Sequence, residues 1–239
     1  MPYRIFNLDE VAAYLHLARR DVETLVKRDE IPCERQGERM VFRKREIDGW
    51  ASQRILRLSG SRLADYHRTS SAKAHHLSAR TAIMAELISA DRIAPELASR
   101  TKASLLRDMA ALADRTGLVA DPRDLLRSLE EREQLCSTAL AGGLALLHPR
   151  HHDPYMFSDS FIVLGRAIQP IHCGSQDGAP TDLVFLICCQ DDRLHLHTLA
   201  RLCTMVNQTR VLAALRAAGD SAAMLAALVI AEDEVIRKL

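Results

Sequence analysis

The chain has 239 residues, enough for one large domain or two smaller ones. Hydrophobic residues make up 48% of it and aromatic residues only 4%, so a core of mainly aliphatic side chains is expected. The formal net charge of +1 excludes a globally basic surface, and any attraction to nucleic acid has to come from a local patch.

Cysteines and apolar runs indicate the compartment. None of the six cysteines forms a CxxC pair, a pattern that fits buried free thiols in a reducing cytoplasm better than disulfides or a zinc ribbon. Residues 1–10 lack an apolar signal core, and the apolar run at 222–231 is far shorter than a membrane span. We therefore expect a soluble, cytoplasmic protein without membrane insertion.

The first fifty residues predict a compact helical block. Asn7 and Glu10 have the spacing of a capping box, which favours a helix start at that point. The elements predicted after this first helix are a second helix at 19–28, a hairpin at 34–42 around Gly37, and a last helix at 43–53 anchored by Ile47 and Trp50.

The remainder divides into a linker and an α/β region. Residues 58–83 are polar and basic, a linker composition. The elements predicted beyond it are an edge strand at 86–89, helices at 105–112 and 122–133, a strand at 144–147, a strand at 161–166, a turn at 177–180, a buried strand at 183–189, and helices beginning near 195, 211 and 224. The expected domains are therefore 1–57 and 84–239, joined by the linker.

One ionisable residue directly follows an apolar strand. His148 comes after Leu146 and Leu147, at the end of the strand where α/β folds commonly bind ligands. It is the first candidate for chemistry.

The N-terminal pattern resembles the winged helix-turn-helix of the excisionase and MerR-like families. The residues that carry the resemblance are Leu8-Asp9-Glu10-Val11-Ala12, Arg19-Arg20-x-Val22-x-x-Leu25-Val26, Glu30-Ile31-Pro32, Gly37, and Phe42-x-x-x-x-Ile47-x-x-Trp50. In these families the second helix enters the major groove and the wing touches the backbone. The residues that this implies for contact with double-stranded DNA are Arg19, Arg20, Thr24, Lys27, Arg28, Arg39, Arg43 and Lys44.

A protein-binding or purely structural N-terminal domain is the alternative. Residues 1–57 contain twelve Lys and Arg against ten Asp and Glu, a net charge of only +2. Asp21 and Glu23 also lie on the proposed recognition helix, where carboxylates repel phosphates.

The C-terminal pattern resembles the enzyme IIA family of the bacterial sugar phosphotransferase system, of the fructose, mannitol and nitrogen-regulatory type. The residues that carry it are Arg132-Glu133-x-Leu135-x-Ser137-Thr138-x-Leu140-x-x-Gly143-x-Ala145-x-x-His148-x-Arg150, then Asp177-Gly178-x-Pro180-x-x-Leu183-Val184-Phe185-Leu186 and His195-Leu196-x-x-Leu199-Ala200. The resemblance implies an α/β fold with an enzyme IIA-like mixed sheet flanked by helices.

The resemblance also implies a role for each matching residue. His148 matches the histidine that a histidine phosphocarrier protein phosphorylates, and Arg132, sixteen positions earlier, matches an arginine that holds phosphate oxygens. His195 matches a neighbouring histidine, Thr138 a hydroxyl that orients the acceptor, and Arg150 the residue two after it. No metal or cofactor is implied.

Together the resemblances predict a homodimeric DNA-binding regulator with a phosphorylatable enzyme IIA-like sensor. Leu147 stands where the family usually has proline, so a degenerate domain that is not phosphorylated is one alternative. A phosphocarrier whose N-terminal domain binds protein is another. Zinc is a third reading for the histidines, namely His148, His151, His152, His172, His195 and His197, although no HxxxH pair on a helix and no cysteine at ligand spacing supports it.

Overall fold

A computed structural model describes residues 5–15, 17–37, 39–58, 63, 66, 81–151 and 155–238. The chain divides into two compact units, the N-terminal unit (residues 1–79) and the C-terminal unit (residues 80–239). Several sequence predictions lie outside the described residues: residue 38 of the predicted hairpin, most of the predicted linker, and His152.

The helices and strands of the N-terminal unit are β1 (Ile5–Phe6), α1 (Leu8–Tyr14), α2 (Arg19–Lys27), β2 (Glu34–Gln36), β3 (Arg39–Arg43) and α3 (Lys44–Arg57). The strands form a three-stranded antiparallel sheet in the order β1-β3-β2. Gly37, with a φ of 63°, takes the left-handed conformation that the turn between β2 and β3 requires.

The predicted helix starts and core of this unit are largely present. Asn7 accepts from the backbone N–H groups of Asp9 and Glu10, and Glu10 accepts from that of Asn7, which completes the capping box. Ile47 is fully buried, whereas Trp50 is half-buried and donates its indole N–H to the carbonyl of Glu30 over 2.5 Å. The short strand β1 was not predicted, because two residues are too few for a periodic pattern.

The helices and strands of the C-terminal unit are α4 (Met84–Leu87), a 3₁₀ turn (Ala90–Arg92), β4 (Ile93–Leu97), α5 (Lys102–Asp114), α6 (Pro122–Leu135), β5 (Ala139–Leu140), β6 (Leu144–Leu147), β7 (Phe161–Ile171), β8 (Thr181–Cys188), α7 (Asp192–Gln208), α8 (Val211–Ala217) and α9 (Ser221–Arg237). The sheet order is β4-β7-β8-β6-β5. The pairs β4–β7 and β6–β8 are parallel, whereas β7–β8 and β5–β6 are antiparallel, so the sheet is mixed as predicted.

Helices cover both faces of this sheet. Along β8, Val184, Leu186 and Cys188 pack in one core with Leu105 of α5 and Leu125 of α6. Because strand side chains alternate, the residues between them point to the opposite face, where α7 contacts β8 and α9 contacts β4. Within the sheet, β6 lies between β8 and β5, and this pairing on both sides fixes the position of its carboxyl end.

The edge strand was predicted in the wrong place. Residues 86–89 lie in and after the one-turn helix α4, and the actual edge strand is β4. The carboxylate of Glu232 accepts from the backbone N–H groups of Ile83 and Met84 and so stabilises the start of α4. Pro95 interrupts the strand pattern of β4, and an edge position tolerates it because one side of the strand needs no ladder hydrogen bond.

Glu232 also forms a buried ion pair with Arg201 of α7, at 2.6 Å, and both side chains are almost fully inaccessible to solvent. Burial lowers the pKa of Arg201, and the carboxylate of Glu232 opposes that effect. The pair therefore ties α7 and α9 to the segment where the C-terminal unit begins.

We expect Glu232→Gln to lower the free energy of unfolding of this unit by about 3–5 kcal/mol, because it leaves the buried guanidinium without its counter-charge. Hydrogen exchange of the β8 amides reports this unit specifically. Asp233→Asn is the matched control on the same helix, since it removes an exposed contact with Arg237 and should cost less than about 1 kcal/mol. Equal protection of β8 in both variants would contradict the assigned role of the pair.

The described part of the chain contains no helix long and apolar enough to cross a membrane.

All six cysteines are free thiols; Cys33 and Cys136 are half-buried and the other four are buried. Burial raises the pKa of Cys203 to about 12, so this thiol stays neutral.

Candidate functional site

His148 lies directly after β6, and its side chain is only 2% exposed. The strand before it is fixed by parallel pairing with β8, which places Leu147 opposite Leu186. Leu147 is buried in the core that the sheet shares with α5 and α6. Leu147, at the usual proline position, is therefore the last residue of β6, and His148 lies at the end of the strand.

Two hydrogen bonds determine the tautomer of His148. Its Nδ1 lies 3.0 Å from the carbonyl oxygen of Leu146, which can only accept, so Nδ1 carries the proton. Its Nε2 lies 3.0 Å from Nε of Arg132, which can only donate, so Nε2 accepts with its lone pair. The ring is thus neutral, and Nε2 is the nitrogen with a nucleophilic electron pair.

Arg132 brings a buried positive charge to that nitrogen. It lies in the last turn of α6 and is 2% exposed. Its Nη1 donates to the carbonyl of Cys136 over 3.0 Å, while Nη2 has no hydrogen-bond partner among the described residues. A buried guanidinium with an unused N–H group is suited to bind an anion, because burial without a partner is costly.

His195 is the second ring of the site. It is fully buried near the N-terminus of α7, whose N-cap is Asp191. The ring centroids of His148 and His195 are 4.8 Å apart, with the planes at 49°. The N-terminal end of a helix favours negative charge, so this side of the site also suits an anion.

Thr138 and Arg150 contact the side chains of two glutamates of α6. Thr138 donates its backbone N–H and its hydroxyl to Glu133, and its carbonyl accepts from the N–H of Leu146, so it reaches His148 only through Leu146. The guanidinium of Arg150 lies 3.3 Å from Glu131 on α6. The structure therefore brings His148, Arg132 and His195 together and places Thr138 and Arg150 around them.

Sequence reasoning assigned no role to Glu133 and Lys102. Glu133 is buried beside Arg132, and Lys102 Nζ lies 2.6 Å from its carboxylate. Glu133 was visible as part of the matching motif, but nothing in the local sequence around Lys102 indicates a contact with so distant a residue.

The other histidines differ in burial. His172 is exposed and His151 is half-buried. His197 is 3% exposed and is one of the buried residues of α7. Among the described residues no group of three or more His, Cys, Asp or Glu side chains is arranged to hold a metal ion.

The candidate nucleic-acid interface of the N-terminal unit separates into paired and exposed side chains. Arg19 forms ion pairs with Asp9 and Glu23. Arg43 pairs with Glu34, and Lys44 pairs with Asp48. The hydroxyl of Thr24 donates to a backbone carbonyl of α2. Arg20 is exposed and lies 3.9 Å from the carboxylate of Asp21. The remaining candidates are exposed: Lys27, Arg28 and Arg39.

Comparison with known proteins identifies both units. Residues 86–230, more than half of the chain, match the family described as phosphoenolpyruvate-dependent sugar phosphotransferase system, EIIA 2. The chain belongs to this family. Residues 5–55 match the family described as helix-turn-helix domain. Both resemblances predicted from the sequence are thus confirmed, as is the α/β fold preceded by a small helix-turn-helix domain.

Individual relatives agree with this assignment. The chain is 30% identical over 148 residues to a nitrogen regulatory protein of Bradyrhizobium diazoefficiens, covering 61% of this chain and 94% of that protein. It is 26% identical over 128 residues to the fructose-specific EIIABC component of the phosphotransferase system of Bacillus subtilis, covering 53% of this chain but only 20% of that protein.

Solved structures share the fold. Nitrogen regulatory protein IIA-Ntr of Neisseria meningitidis superposes with a TM-score of 0.56 at 23% identity, covering 62% of this chain and 99% of that one. IIA mannitol of Escherichia coli superposes with a TM-score of 0.53 at 18% identity, covering 59% of this chain and 98% of that one.

Proposed function

We propose that the chain is a DNA-binding transcriptional regulator whose C-terminal domain accepts a phosphoryl group on Nε2 of His148. Two hydrogen bonds carry this proposal, because they place the proton of the His148 ring on Nδ1 and leave a lone pair on Nε2. Beside Nε2 lies the buried Arg132, whose Nη2 has no hydrogen-bond partner among the described residues. The donor would be a histidine phosphocarrier protein, and the domains would be 1–57 and 84–239 with a linker at 58–83.

The chemistry is a direct transfer between two imidazoles. The Nε2 lone pair forms a bond to phosphorus while the bond from phosphorus to the donor ring breaks, and the donor keeps that electron pair. Because Arg132 Nε–H occupies the Nε2 lone pair beforehand, its guanidinium has to move from the nitrogen to the phosphoryl oxygens as the donor arrives. His195 is close enough to His148 to donate a hydrogen bond to the same group.

Phosphorylation would then change how the regulator assembles. It adds about −1.5 to −2 of charge to one site, enough to alter docking between domains or subunits. We infer a homodimer in the cytoplasm that binds an inverted repeat, since helix-turn-helix proteins read paired half-sites.

Incubation with phosphoenolpyruvate, enzyme I and the phosphocarrier protein, followed by intact mass measurement at neutral pH, tests phosphoryl acceptance. A gain of one phosphoryl group supports the proposal. No gain, with the phosphocarrier itself fully phosphorylated, would reject it in favour of a degenerate domain.

Two exposed arginines, Arg20 in α2 and Arg28 at its C-cap, make a separate prediction for DNA binding. We expect Arg20→Ala and Arg28→Ala each to weaken binding to genomic DNA fragments and to reduce the salt dependence of the binding constant by about one unit of log–log slope per lost phosphate contact. Fluorescence anisotropy across a salt series measures both effects.

Arg123→Ala, an exposed arginine of the C-terminal unit, is the control and should leave the slope unchanged. Wild-type protein that shows no salt-sensitive binding would reject the DNA-binding part of the proposal.

A phosphocarrier that relays phosphate to a partner is the second candidate. Four of the eight candidate DNA contacts are paired with carboxylates, which favours an N-terminal domain that binds protein. A solved complex joins enzyme IIA mannitol to phosphorylated enzyme IIB mannitol of Escherichia coli, and that enzyme IIA shares this fold with a TM-score of 0.52. Transfer onward to an enzyme IIB protein, without any DNA binding, would favour this candidate.

A further inference from the structure

The carboxylate of Glu133 accepts two hydrogen bonds from Thr138 and forms an ion pair with Lys102. It follows Arg132 directly, and its side chain is 5% exposed. One carboxylate oxygen accepts the backbone N–H of Thr138 over 2.9 Å and also its hydroxyl. The other oxygen pairs with Lys102 of α5 at 2.6 Å, which offsets the cost of burying the charge.

The capture of the Thr138 amide matters because of the strand register. Ala139 pairs with Ala145 and Leu140 with Leu144, so continuing the antiparallel ladder places Thr138 opposite Leu146. In a regular hydrogen-bonded pair of this kind, both residues exchange N–H···O bonds.

Only one of those two bonds is made. The N–H of Leu146 donates to the carbonyl of Thr138 over 3.2 Å, but the N–H of Thr138 turns to Glu133 instead. The carbonyl of Leu146 accepts from Nδ1 of His148 over 3.0 Å, with the N–H of Thr138 turned away from it. Together with the bond from Arg132 to Nε2, this bond fixes the tautomer.

We propose that Glu133, with Lys102 as its counter-ion, is a positioning residue that sets the tautomer of His148 by withdrawing the Thr138 amide from the strand ladder. The last turn of α6 then controls both nitrogens of the acceptor ring: Arg132 acts directly on Nε2, and Glu133 acts on Nδ1 through Thr138 and Leu146. The catalytic consequence rests on the proposed function, whereas the effect on the tautomer does not.

The test compares three substitutions in the full-length chain. Glu133→Ala removes the acceptor, and Glu133→Asp keeps the charge but withdraws the carboxylate from Thr138. In both, the Thr138 amide returns to the Leu146 carbonyl and competes with Nδ1. Glu133→Gln keeps an acceptor oxygen at the same reach. We expect both tautomers of His148 in the first two variants and the single Nδ1–H tautomer in the third, read from the ring ¹⁵N chemical shifts.

Phosphorylation rates provide the second readout. We expect the maximal rate of Glu133→Ala and Glu133→Asp to fall by up to about 10²-fold, with little change in the KM for the phosphocarrier, because the acceptor is misplaced while the surface that meets the donor is untouched. Asp124→Asn, which loses an exposed pair with Arg127 on the same helix, is the control and should match wild type in both readouts.

A single Nδ1–H tautomer in both Glu133→Ala and Glu133→Asp would overturn the proposal, as would a tautomer shift of equal size in Glu133→Gln. If Glu133→Ala fails to fold, Glu133→Asp decides the question. Wild type that takes up no phosphoryl group would reject the proposed function, while the ¹⁵N shifts would still test the positioning role.

Discussion

His148→Ala is expected to take up no phosphoryl group from the phosphocarrier protein under conditions in which wild type gains one. The substitution removes the only nitrogen that the described site holds as a deprotonated acceptor beside Arg132. His195 remains, with its ring 4.8 Å from the position of the acceptor ring, and we expect it not to substitute as acceptor. Intact mass under neutral conditions provides the measurement, because phosphohistidine is lost in acid.

His172→Ala is the matched control for this result, since it removes an exposed histidine of the same unit. It should gain one phosphoryl group as wild type does. A full gain in His148→Ala would show that another residue is the acceptor and that His148 is a structural histidine.

Arg132→Met is expected to slow phosphoryl transfer by on the order of 10²–10³-fold, because it removes the positive charge and the N–H groups available to the phosphoryl oxygens. Arg132→Lys should fall between Met and wild type, since an ammonium group supplies charge but not the planar pair of donors. Single-turnover rates with phosphorylated carrier measure the effect.

The fold should survive Arg132→Met, because replacing a buried charge with an apolar side chain of similar length relieves its desolvation. Arg127→Met, on the exposed face of the same helix, is the control and should react at the wild-type rate. An unchanged rate in Arg132→Met would mean that this arginine only holds the carbonyl of Cys136.

Regular periodicity decided which parts of the fold were predictable. The helices α5 and α6 were found from apolar residues spaced at helical intervals, and β8 from a continuous apolar run. The strand β4 was missed because Pro95 and Glu96 break its pattern. The carboxylate of Glu232 on α9 stabilises the start of the helix at 84–87. The local sequence does not indicate a contact between residues so far apart in the chain.

The site residues that belong to the enzyme IIA motif could be predicted from the sequence. The order of Arg132, His148 and His195 in the sequence identified the three side chains that the structure brings together. The tautomer, by contrast, depends on the carbonyl beside Nδ1 and the Arg132 N–H beside Nε2, and only the folded structure shows these two contacts. Side-chain pairing was likewise hidden: the contact of Arg19 with Asp9 joins two helices, and only the packed unit shows it.

The nitrogen that carries the phosphoryl group is the most direct test of the central claim. Long-range ¹H–¹⁵N correlation of the phosphorylated full-length chain, with His148 assigned by comparison with His148→Ala, identifies that nitrogen. The account predicts phosphorus on Nε2 of His148, with the proton still on Nδ1. Phosphorus on Nδ1, or on the ring of His195, would contradict it.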